Sequence, residues 1–276
     1  MLSYQHAFHA GNLADLHKHA LLAWMLDYLT AKPKPLSYLE THSGRGLYDL
    51  SGPEAEKTGE ARVGIGRALD EGWLPADHPL ARALAPIRAR HGDSAYPGSP
   101  LIARHFLRPG DNAHLAELHP TEHEALSRVA GFAHLHRQDG FAMAQALCPP
   151  TPRRGLLLID PSYEIKTDYQ TVVEAVAAAH RRFPSGTYLL WYPVIERVRT
   201  ERMLDALRAT GIRRQFRVEL GLVADAAGRG MTAAGIVAIN PPWTLPHAAS
   251  AGLPWLAKAL GATGPLAAAW LAPPEA

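Results

Sequence analysis

The chain has 276 residues, of which 47% are apolar and 20% are charged. This composition predicts a globular protein that buries a sizeable core, as one catalytic domain with an insertion. The formal charge of +2 gives no general signal for binding polyanions, so a nucleic-acid surface would have to be local. The single cysteine, Cys148, excludes an internal disulfide and a cysteine-rich zinc module.

Membrane and metal signals are absent from the sequence pattern. No apolar run reaches the roughly 18 residues that a spanning helix needs, and the polar start is not that of a signal peptide. The early histidines His6, His9, His17 and His19 lack the spacing to a carboxylate partner that a metal site favours. We therefore expect a cytosolic protein without a metal or a membrane contact, and a monomer.

The first predicted element is a helix from Asn12 to Ala31, and Pro33 ends its pattern. A strand from Leu36 to Glu40 then runs into Thr41-His42-Ser43-Gly44-Arg45-Gly46, whose two glycines permit a tight turn and close approach of a ligand. From about Leu50 to Gly92, six Lys or Arg balance six Asp or Glu. We expect this segment to be an inserted, solvated helical cap that shapes one wall of a cleft.

The rest of the chain alternates apolar runs with helical patterns, which predicts strand-helix units around a mostly parallel sheet. The Ala- and Pro-rich stretch after Pro246 carries no predicted element. The remaining predicted strands are Ala113–Leu118, Ala133–Arg137, Leu156–Ile159, Thr187–Trp191, Arg213–Leu222 and Gly235–Ile239, and the remaining predicted helices are Tyr169–Arg182 and Glu196–Thr210.

Chemically informative residues follow four successive strands. In a doubly wound sheet, ligands bind beyond the carboxyl ends of the strands. The glycine turn follows the first strand, Glu117 can accept hydrogen bonds from ribose hydroxyls, Asp139 can accept from an adenine amine, and Asp160 faces the reacting centre. This set predicts a cofactor that contains adenosine.

A dinucleotide and S-adenosylmethionine both contain adenosine, and the glycine turn distinguishes between them. Only Gly44 and Gly46 are present, and Asp49 stands where a third glycine would let a helix start hold a pyrophosphate. No phosphate-binding loop with a Gly-Lys pair occurs either. S-adenosylmethionine carries no phosphate, so methyl transfer is the consistent chemistry.

The strand that ends in Asp160-Pro161-Ser162-Tyr163 suits an exocyclic amine on a flat base. The Asp160 carboxylate and the Pro161 carbonyl can both accept hydrogen bonds from one NH2 group, and the Tyr163 ring offers a face on which an extruded base can stack. An ordinary strand followed by a turn is the alternative explanation.

Asn240-Pro241-Pro242-Trp243 also fits the pattern of amine methyltransferases. We expect it to be a structural turn, because the strand before it should run antiparallel to its neighbours and an amide is a weaker acceptor than a carboxylate. RNA phosphates are expected to meet local arginines, although a solvated helix face also explains the last three: Arg153, Arg154, Arg181, Arg182, Arg197, Arg199 and Arg202.

Motifs along most of the chain resemble, in one order, the bacterial large-subunit ribosomal RNA adenine-N6 methyltransferases of the J type. They begin with the segment from Met1 to Asn12 and include Ala14-Asp15 and Lys18-His19. The others are Thr41 to Gly46, Tyr96 to Arg104, Glu117 to Pro120, Asp139-Gly140, Asp160 to Tyr163, Thr167 to Tyr169, Leu190 to Pro193 and Arg229 to Thr232.

The resemblance implies a class I, Rossmann-like methyltransferase fold with a seven-stranded, mostly parallel sheet and a small helical insertion. It also implies methylation of one adenine of 23S ribosomal RNA with S-adenosylmethionine as the cofactor. By match of motif, the cofactor would contact His19, His42, Ser99, Glu117, Asp139, Gly140 and Asp160, Asp160 would be catalytic with Pro161 and Tyr163, and Tyr4, His6 and Lys18 would lie at the RNA substrate.

Three residues depart from the family pattern. Ser162 replaces the second proline of Asp-Pro-Pro-Tyr, which leaves the turn less preorganised, yet we expect activity because both acceptors remain. Glu40 stands where Asp is more usual. Arg45 either narrows the cofactor turn or projects outward.

Three other functions compete with RNA methylation. The first is methylation of adenine in DNA, and the second is RNA binding without catalysis, which Ser162 keeps open. The third, a nicotinamide oxidoreductase, is disfavoured by the absent third glycine.

Overall fold

The computed structural model describes residues 5–225 and 230–275. Tyr4, the start of the N-terminal motif and Arg229 lie outside the described residues. The chain divides into two compact units, which meet in sequence at Gly140 and Phe141. The expectation of a single domain therefore stays a prediction, and each unit is described by itself.

Unit 1 starts with a 3-10 turn, His6–Phe8, and helix α1, Leu13–Thr30. The Asn12 side chain caps α1 by accepting a hydrogen bond from the Asp15 N–H at 2.9 Å, close to the predicted start. Polar side chains near the start of α1 are buried among the apolar ones: Asp15, His17, Lys18 and His19. This is unusual for a helix and marks a site that is not simply core.

Three parallel strands, β1 (Ser37–Glu40), β4 (Asn112–Ala116) and β5 (His134–His136), form the sheet of unit 1 in that order. Each coincides with a predicted strand. Their carboxyl ends therefore lie at one edge. Helix α6, Pro120–Val129, connects β4 to β5.

The segment between β1 and β4 is helical, as predicted. An antiparallel pair, β2 (Leu47–Asp49) and β3 (Ala95–Pro97), closes it at the base. The helical parts are α2 (Pro53–Thr58), a π-helical turn (Arg62–Gly66), α3 (Arg67–Asp70) and α4 (Pro79–His91), and α5 (Ser99–Phe106) follows β3.

The insertion does more than cover the surface. Glu60 binds the His9 ring at 3.0 Å and the Asn12 amide at 2.9 Å. The Ile65 N–H donates to the Gly11 carbonyl at 2.8 Å, and the Thr58 hydroxyl donates to the Phe8 carbonyl at 2.6 Å. The inserted helices thus fix the chain that leads into α1, which the expectation of a solvated cap did not include.

Unit 2 contains five strands in the order β10-β8-β9-β7-β6. Strands β6 (Gly155–Ile159) and β7 (Thr187–Val194) are parallel, whereas β8 (Gln215–Gly221) and β9 (Ala233–Ile239) pair antiparallel with their neighbours. The helices are α7 (Gly140–Leu147), α8 (Asp168–Arg182), α9 (Arg197–Ala209) and α10 (Leu245–Ala259).

The C-terminal stretch corrects the sequence analysis. It forms α10 and a further strand, β10 (Leu266–Ala272), which pairs antiparallel with β8. All seven predicted strands are present among the described residues, and three further strands, β2, β3 and β10, were not predicted. Alanine-rich sequence has low strand propensity, so the pairing with β8 decides this structure.

A buried carboxylate holds together the last strands of unit 2. Glu219 is 1% exposed and accepts hydrogen bonds from Arg197 and Arg217, each at 2.7 Å, and from the Tyr192 hydroxyl at 2.8 Å. These bonds join α9, β8 and β7.

We expect Glu219→Ala to lower the free energy of unfolding by about 3–5 kcal/mol, because it leaves two arginines without their buried partner. The matched change Glu124→Ala removes the exposed pair with Arg128 at 2.6 Å and should cost less than about 1 kcal/mol. Urea unfolding followed by circular dichroism measures both. Equal losses would contradict a dominant role for Glu219.

Candidate cofactor-binding site and catalytic turn

The glycine turn after β1 is tied to the end of β4. The Ser43 N–H donates to the Ala116 carbonyl at 3.0 Å, and the Gly44 N–H donates to a Glu117 carboxylate oxygen at 2.8 Å. Gly44 has φ +59°, and a Cβ at this position would lie 2.4 Å from the Tyr48 hydroxyl oxygen. Glycine is therefore required for the turn to close on Glu117.

Glu117 is half-buried, and its second carboxylate oxygen accepts the His119 N–H at 2.7 Å. Burial raises the pKa of Glu117 against the opposing effect of these backbone hydrogen bonds. Each oxygen keeps a further lone pair, since a carboxylate accepts about four hydrogen bonds. The side chain is thus positioned and still able to accept from the two hydroxyls of a ribose.

Asp139 and Gly140 follow β5 at the same edge of unit 1. The Glu117 N–H donates to the His136 carbonyl at 3.0 Å, which fixes the end of β4 beside that of β5. Asp139 is exposed there, and a Cβ on Gly140 would lie 1.7 Å from the Thr41 carbonyl oxygen. The backbone at Gly140 therefore packs directly on the end of β1. The edge brings together the glycine turn, Glu117 and Asp139, and their contact with an adenosine group stays a prediction.

Ser99 and Glu40 lie buried beneath this edge. The Ser99 hydroxyl and the Tyr38 hydroxyl both donate to the Glu40 carboxylate, the latter at 2.8 Å. Glu40, the departure from the family pattern, is thus satisfied internally. The cofactor contact of Ser99 stays a prediction, and its hydroxyl hydrogen is already used.

His19 and His42 occupy different surroundings. His19 is fully buried, its Nδ1 lies 2.8 Å from the Tyr96 hydroxyl, and burial lowers its pKa to about 3. His19 is therefore a neutral ring at physiological pH. His42 is partly exposed in the glycine turn, with its Nδ1 2.7 Å from the Thr41 hydroxyl. Their cofactor contacts stay predictions.

Asp15 was missed by the sequence analysis, although it connects two predicted substrate residues. This side chain is 1% exposed and lies 2.8 Å from the His6 Nε2 and 3.0 Å from the Lys18 Nζ, and it also accepts the Gly11 N–H at 2.9 Å. An acid in the first turn of a helix is commonly explained by the helix dipole. The long-range contact to His6 is visible only in the fold.

The charge on Asp15 is stabilised locally. Burial alone would raise the pKa of its carboxyl, but the positive charges of His6 and Lys18 outweigh burial and hold the pKa well below its ordinary value. Lys18 is itself buried, so the pair places two charges inside the protein at close range. His6 and Lys18 are thereby fixed in one cluster.

The two possibilities for Arg45 are resolved. Its guanidinium makes two hydrogen bonds, of 2.7 and 3.0 Å, to the Glu122 carboxylate of α6. The side chain therefore projects toward α6 and anchors the glycine turn to that helix.

The candidate catalytic turn of unit 2 follows β6. Asp160 is partly exposed and Pro161 is buried. Tyr163 is 4% exposed, has φ +56° and donates its hydroxyl to the Trp191 carbonyl at 2.7 Å. Its ring lies 4.7 Å from that of Tyr169 between centroids. A side chain in the left-handed region is costly unless other contacts hold it, and here both the hydroxyl and the ring do so.

These contacts change what is expected of Tyr163 and Ser162. The Tyr163 ring is enclosed, so its stacking on an adenine stays a prediction, and its visible role is to anchor the turn. This anchor compensates for the second proline that Ser162 replaces, because the conformation is fixed at the residue that follows.

The structure supports the rejection of Asn240. Strand β9 is antiparallel to β7, so its end lies where β7 begins, whereas Asp160 follows β6, which is parallel to β7. The Asn240 amide also donates to the Pro184 and Gly186 carbonyls, both at 2.8 Å. Asn240 is a structural turn residue.

The arginines expected to contact RNA differ in availability. Arg153, Arg181 and Arg182 are exposed. Arg197 instead pairs with Glu219 at 2.7 Å and with Asp225 at 2.8 Å. Its guanidinium is therefore used inside the protein, rather than by an RNA phosphate or on a solvated helix face. Arg199 pairs with Glu196 at 3.0 Å.

The described residues contain neither a candidate metal site nor a helix that could span a membrane. No cluster of three or more His, Cys, Asp or Glu side chains among residues 5–225 and 230–275 could hold a metal ion. Within the same ranges, every helix is too short or too polar to cross a bilayer.

Comparison with known proteins identifies the family. Residues 33–272 match the sequence model of the family described as "Ribosomal RNA large subunit methyltransferase D, RlmJ". The ribosomal RNA large subunit methyltransferase J of Escherichia coli K12 is 44% identical, and the alignment covers 99% of this chain and all of the relative. The chain belongs to the ribosomal RNA large subunit methyltransferase J family. The protein of that name from Haemophilus influenzae is 46% identical over 99% of this chain and all of the relative.

A crystal structure of a Legionella pneumophila protein has the same fold. It superposes with a TM-score of 0.82 at 39% identity and covers 91% of this chain and 94% of that chain. The predicted J family, the class I α/β methyltransferase fold and the dependence on S-adenosylmethionine are confirmed. The nicotinamide oxidoreductase is thereby excluded.

The lowered pKa of His19 predicts acid sensitivity. The unfolded chain binds a proton near pH 6.5 and the folded one only near pH 3, so stability is complete above pH 6.5 and falls as the pH drops toward 3. One such proton contributes a slope of up to about 1.4 kcal/mol per pH unit. Asp15 adds no loss until the pH falls below its ordinary value of 3.8.

His19→Gln should therefore flatten the decline between pH 6.5 and pH 4. Unfolding by urea at a series of pH values measures the slope for the wild type and the variant. The exposed His91→Gln is the control and should leave the slope as it is. Identical slopes for wild type and His19→Gln would contradict the burial of a neutral ring.

Tyr163→Phe tests the anchor of the catalytic turn. Loss of the bond to the Trp191 carbonyl should cost about 1 kcal/mol of stability and lower kcat several-fold, because the turn is less fixed. The KM for S-adenosylmethionine should not change, since Tyr163 belongs to unit 2 and Glu117 and Asp139 to unit 1. A variant with wild-type kcat would show that the hydroxyl has no positioning role.

Proposed function

We propose that this protein transfers a methyl group from S-adenosylmethionine to the N6 amine of one adenine in 23S ribosomal RNA. The observation that carries the proposal is the Asp160-Pro161 turn, in which a carboxylate and a neighbouring carbonyl follow the end of β6 and Tyr163 anchors the backbone. Family membership supports ribosomal RNA as the substrate.

The residues at the edge of unit 1 would hold the cofactor. Glu117 would accept hydrogen bonds from the ribose hydroxyls, Asp139 would accept from the adenine amine, and the backbone at Gly44 and Gly140 would permit close approach. His19, His42, Ser99 and Asp160 complete the proposed set. When bound, the cofactor supplies an electrophilic methyl group on a sulfonium.

The protein must make a poor nucleophile reactive. The lone pair of an adenine N6 is delocalised into the ring, which keeps the amine planar. The Asp160 carboxylate and the Pro161 carbonyl would accept the two N6 hydrogens and favour the pyramidal nitrogen of the transition state, while fixing its direction of approach. An extruded adenine has its amine free for this contact, at the cost of unstacking.

The N-terminal cluster would contact the RNA. His6 and Lys18 share the Asp15 carboxylate, so their side chains are held at fixed positions before substrate binds. Tyr4 precedes this cluster in sequence and is the third proposed contact. The protein is proposed to act as a monomer in the cytoplasm.

Asp160→Ala is the direct test. The variant should still bind S-adenosylmethionine by calorimetry, whereas transfer of labelled methyl to 23S ribosomal RNA should fall by about a hundredfold or more, as expected for loss of a transition-state contact. Glu164→Ala, an exposed acid in the same segment, is the matched control and should stay active. Retained activity of Asp160→Ala would refute the assignment.

Substrate and site are tested in parallel. Duplex DNA and transcribed 23S ribosomal RNA are offered side by side, and methylated adenines are mapped in the product. We expect transfer to a single adenine of the RNA and none to duplex DNA. Preferential methylation of DNA would replace the proposal by the DNA alternative, and cofactor binding without any transfer would leave a silent RNA-binding protein.

A further inference from the structure

A basic and aromatic surface lies in unit 2 where β7 and β8 begin and β9 ends. Trp243, four residues after the end of β9, is 79% exposed. Four exposed arginines belong to the segments that meet there, and with Trp243 they are named the Trp243 patch: Arg181, Arg182, Arg213 and Arg214.

The strand pairing brings these segments together. Because β9 is antiparallel to both neighbours, Ile239 pairs with Tyr188 of β7 and with Gln215 of β8. Residues before β7, before β8 and after β9 must therefore lie at one edge of unit 2. Distant parts of the sequence supply one surface.

Asn240 fixes this edge through its backbone and its side chain. Its N–H donates to the Arg214 carbonyl at 3.1 Å, and its side-chain amide donates to the Pro184 and Gly186 carbonyls at 2.8 Å. Asn240 and Arg214 both have positive φ, 50° and 57°. The conformation is costly and is held by these bonds.

The charge of the patch is of one sign. No Asp or Glu occurs in residues 180–187, 211–215 or 240–247. The nearby acid is Glu275, which follows Pro274, whose carbonyl accepts a hydrogen bond from Arg213 at 3.3 Å. Four arginines against one glutamate leave a local charge of about +3 in a chain whose total is +2. This surface is the local basic region that the overall composition hides.

Besides positive charge, the patch has an exposed aromatic ring, that of Trp243. Pro241 and Pro242 are buried and carry the exposed indole out from the edge. An exposed indole flanked by arginines suits an unpaired base stacked on the ring, with the guanidinium groups on its phosphates. Tryptophan and arginine are also enriched in protein interfaces, but a local charge of about +3 favours a polyanionic partner.

We infer that the Trp243 patch binds the ribosomal RNA at a second place, away from the methylated adenine, through the phosphate backbone and one unpaired base. The inference rests on the proposed RNA substrate. Continuing the strand register by one residue, Asp160 lies opposite Trp191 of β7, and Asn240 lies opposite Thr187 of β7. Trp191 and Thr187 are four residues apart, which is about 13 Å along the strand. The patch therefore extends RNA contact beyond the catalytic turn.

Two variants test it: Trp243→Ala, and a triple change of Arg181, Arg182 and Arg213 to Gln. Arg214 is left intact because its guanidinium binds the Pro241 carbonyl at 3.3 Å. We expect Trp243→Ala to weaken binding of transcribed 23S ribosomal RNA about fivefold or more. The triple variant should reduce the slope of log affinity against log salt by about 2, from about 0.7–0.9 per lost phosphate contact. Both should keep the wild-type kcat at saturating RNA.

The controls separate this surface from general charge and from folding. Trp255→Ala removes another exposed tryptophan of unit 2, and Arg67→Gln with Arg128→Gln removes two exposed arginines elsewhere. These should bind RNA as the wild type does. Circular dichroism and thermal unfolding establish that each variant is folded.

If both test variants keep the wild-type affinity for RNA and the wild-type salt slope, the inference is overturned. This holds even if the variants bind vesicles of anionic lipid less tightly than the wild type does. The proposed function fails in a different way, because the wild-type enzyme would then not methylate 23S ribosomal RNA. Loss of kcat at saturating RNA would also overturn the inference, since the surface would then belong to the catalytic machinery.

Discussion

The edge of unit 1 where the cofactor is proposed to bind depends on the Glu117 carboxylate, which accepts hydrogen bonds from backbone N–H groups. Glu117 accepts N–H groups from the glycine turn and from the start of the next helix, while its own N–H binds β5. One residue, through its side chain and its backbone, thus joins the ends of three parallel strands. The close approach of Gly44 and Gly140 is possible only because neither carries a Cβ. A rigid edge is what binding in a defined orientation requires.

Buried charge is used differently in the two units. In unit 1, Asp15 fixes His6 and Lys18, and the insertion reinforces the same segment through Glu60. In unit 2, Glu219 joins two strands and a helix. The first arrangement fixes the groups that are proposed to contact the substrate, and the second stabilises the framework. Both would be costly if one partner were removed.

Much of the fold and part of the site were predictable from local pattern. The seven predicted strands, α1 and the helical insertion follow from periodicity, from Asn12 as a cap and from the glycines after β1. Asp160 and Glu117 were proposed as site residues because acids repeat at strand ends, and each does follow a strand in the structure. The strand β10 was missed, since its alanine-rich sequence has no strand pattern and forms by pairing with β8. Asp15 was missed because its partner His6 precedes the helix and has no fixed spacing to it.

The sequence by itself determined which chemical groups are present and which elements carry them, because periodicity and turn chemistry act over a few residues. It also determined the family through motifs in one order. Only the tertiary structure decided that Arg45 binds Glu122, that Tyr163 is enclosed as an anchor, and that Trp243 and arginines from two other segments share one edge of unit 2. These depend on strand register and on packing between distant residues, which no local pattern encodes.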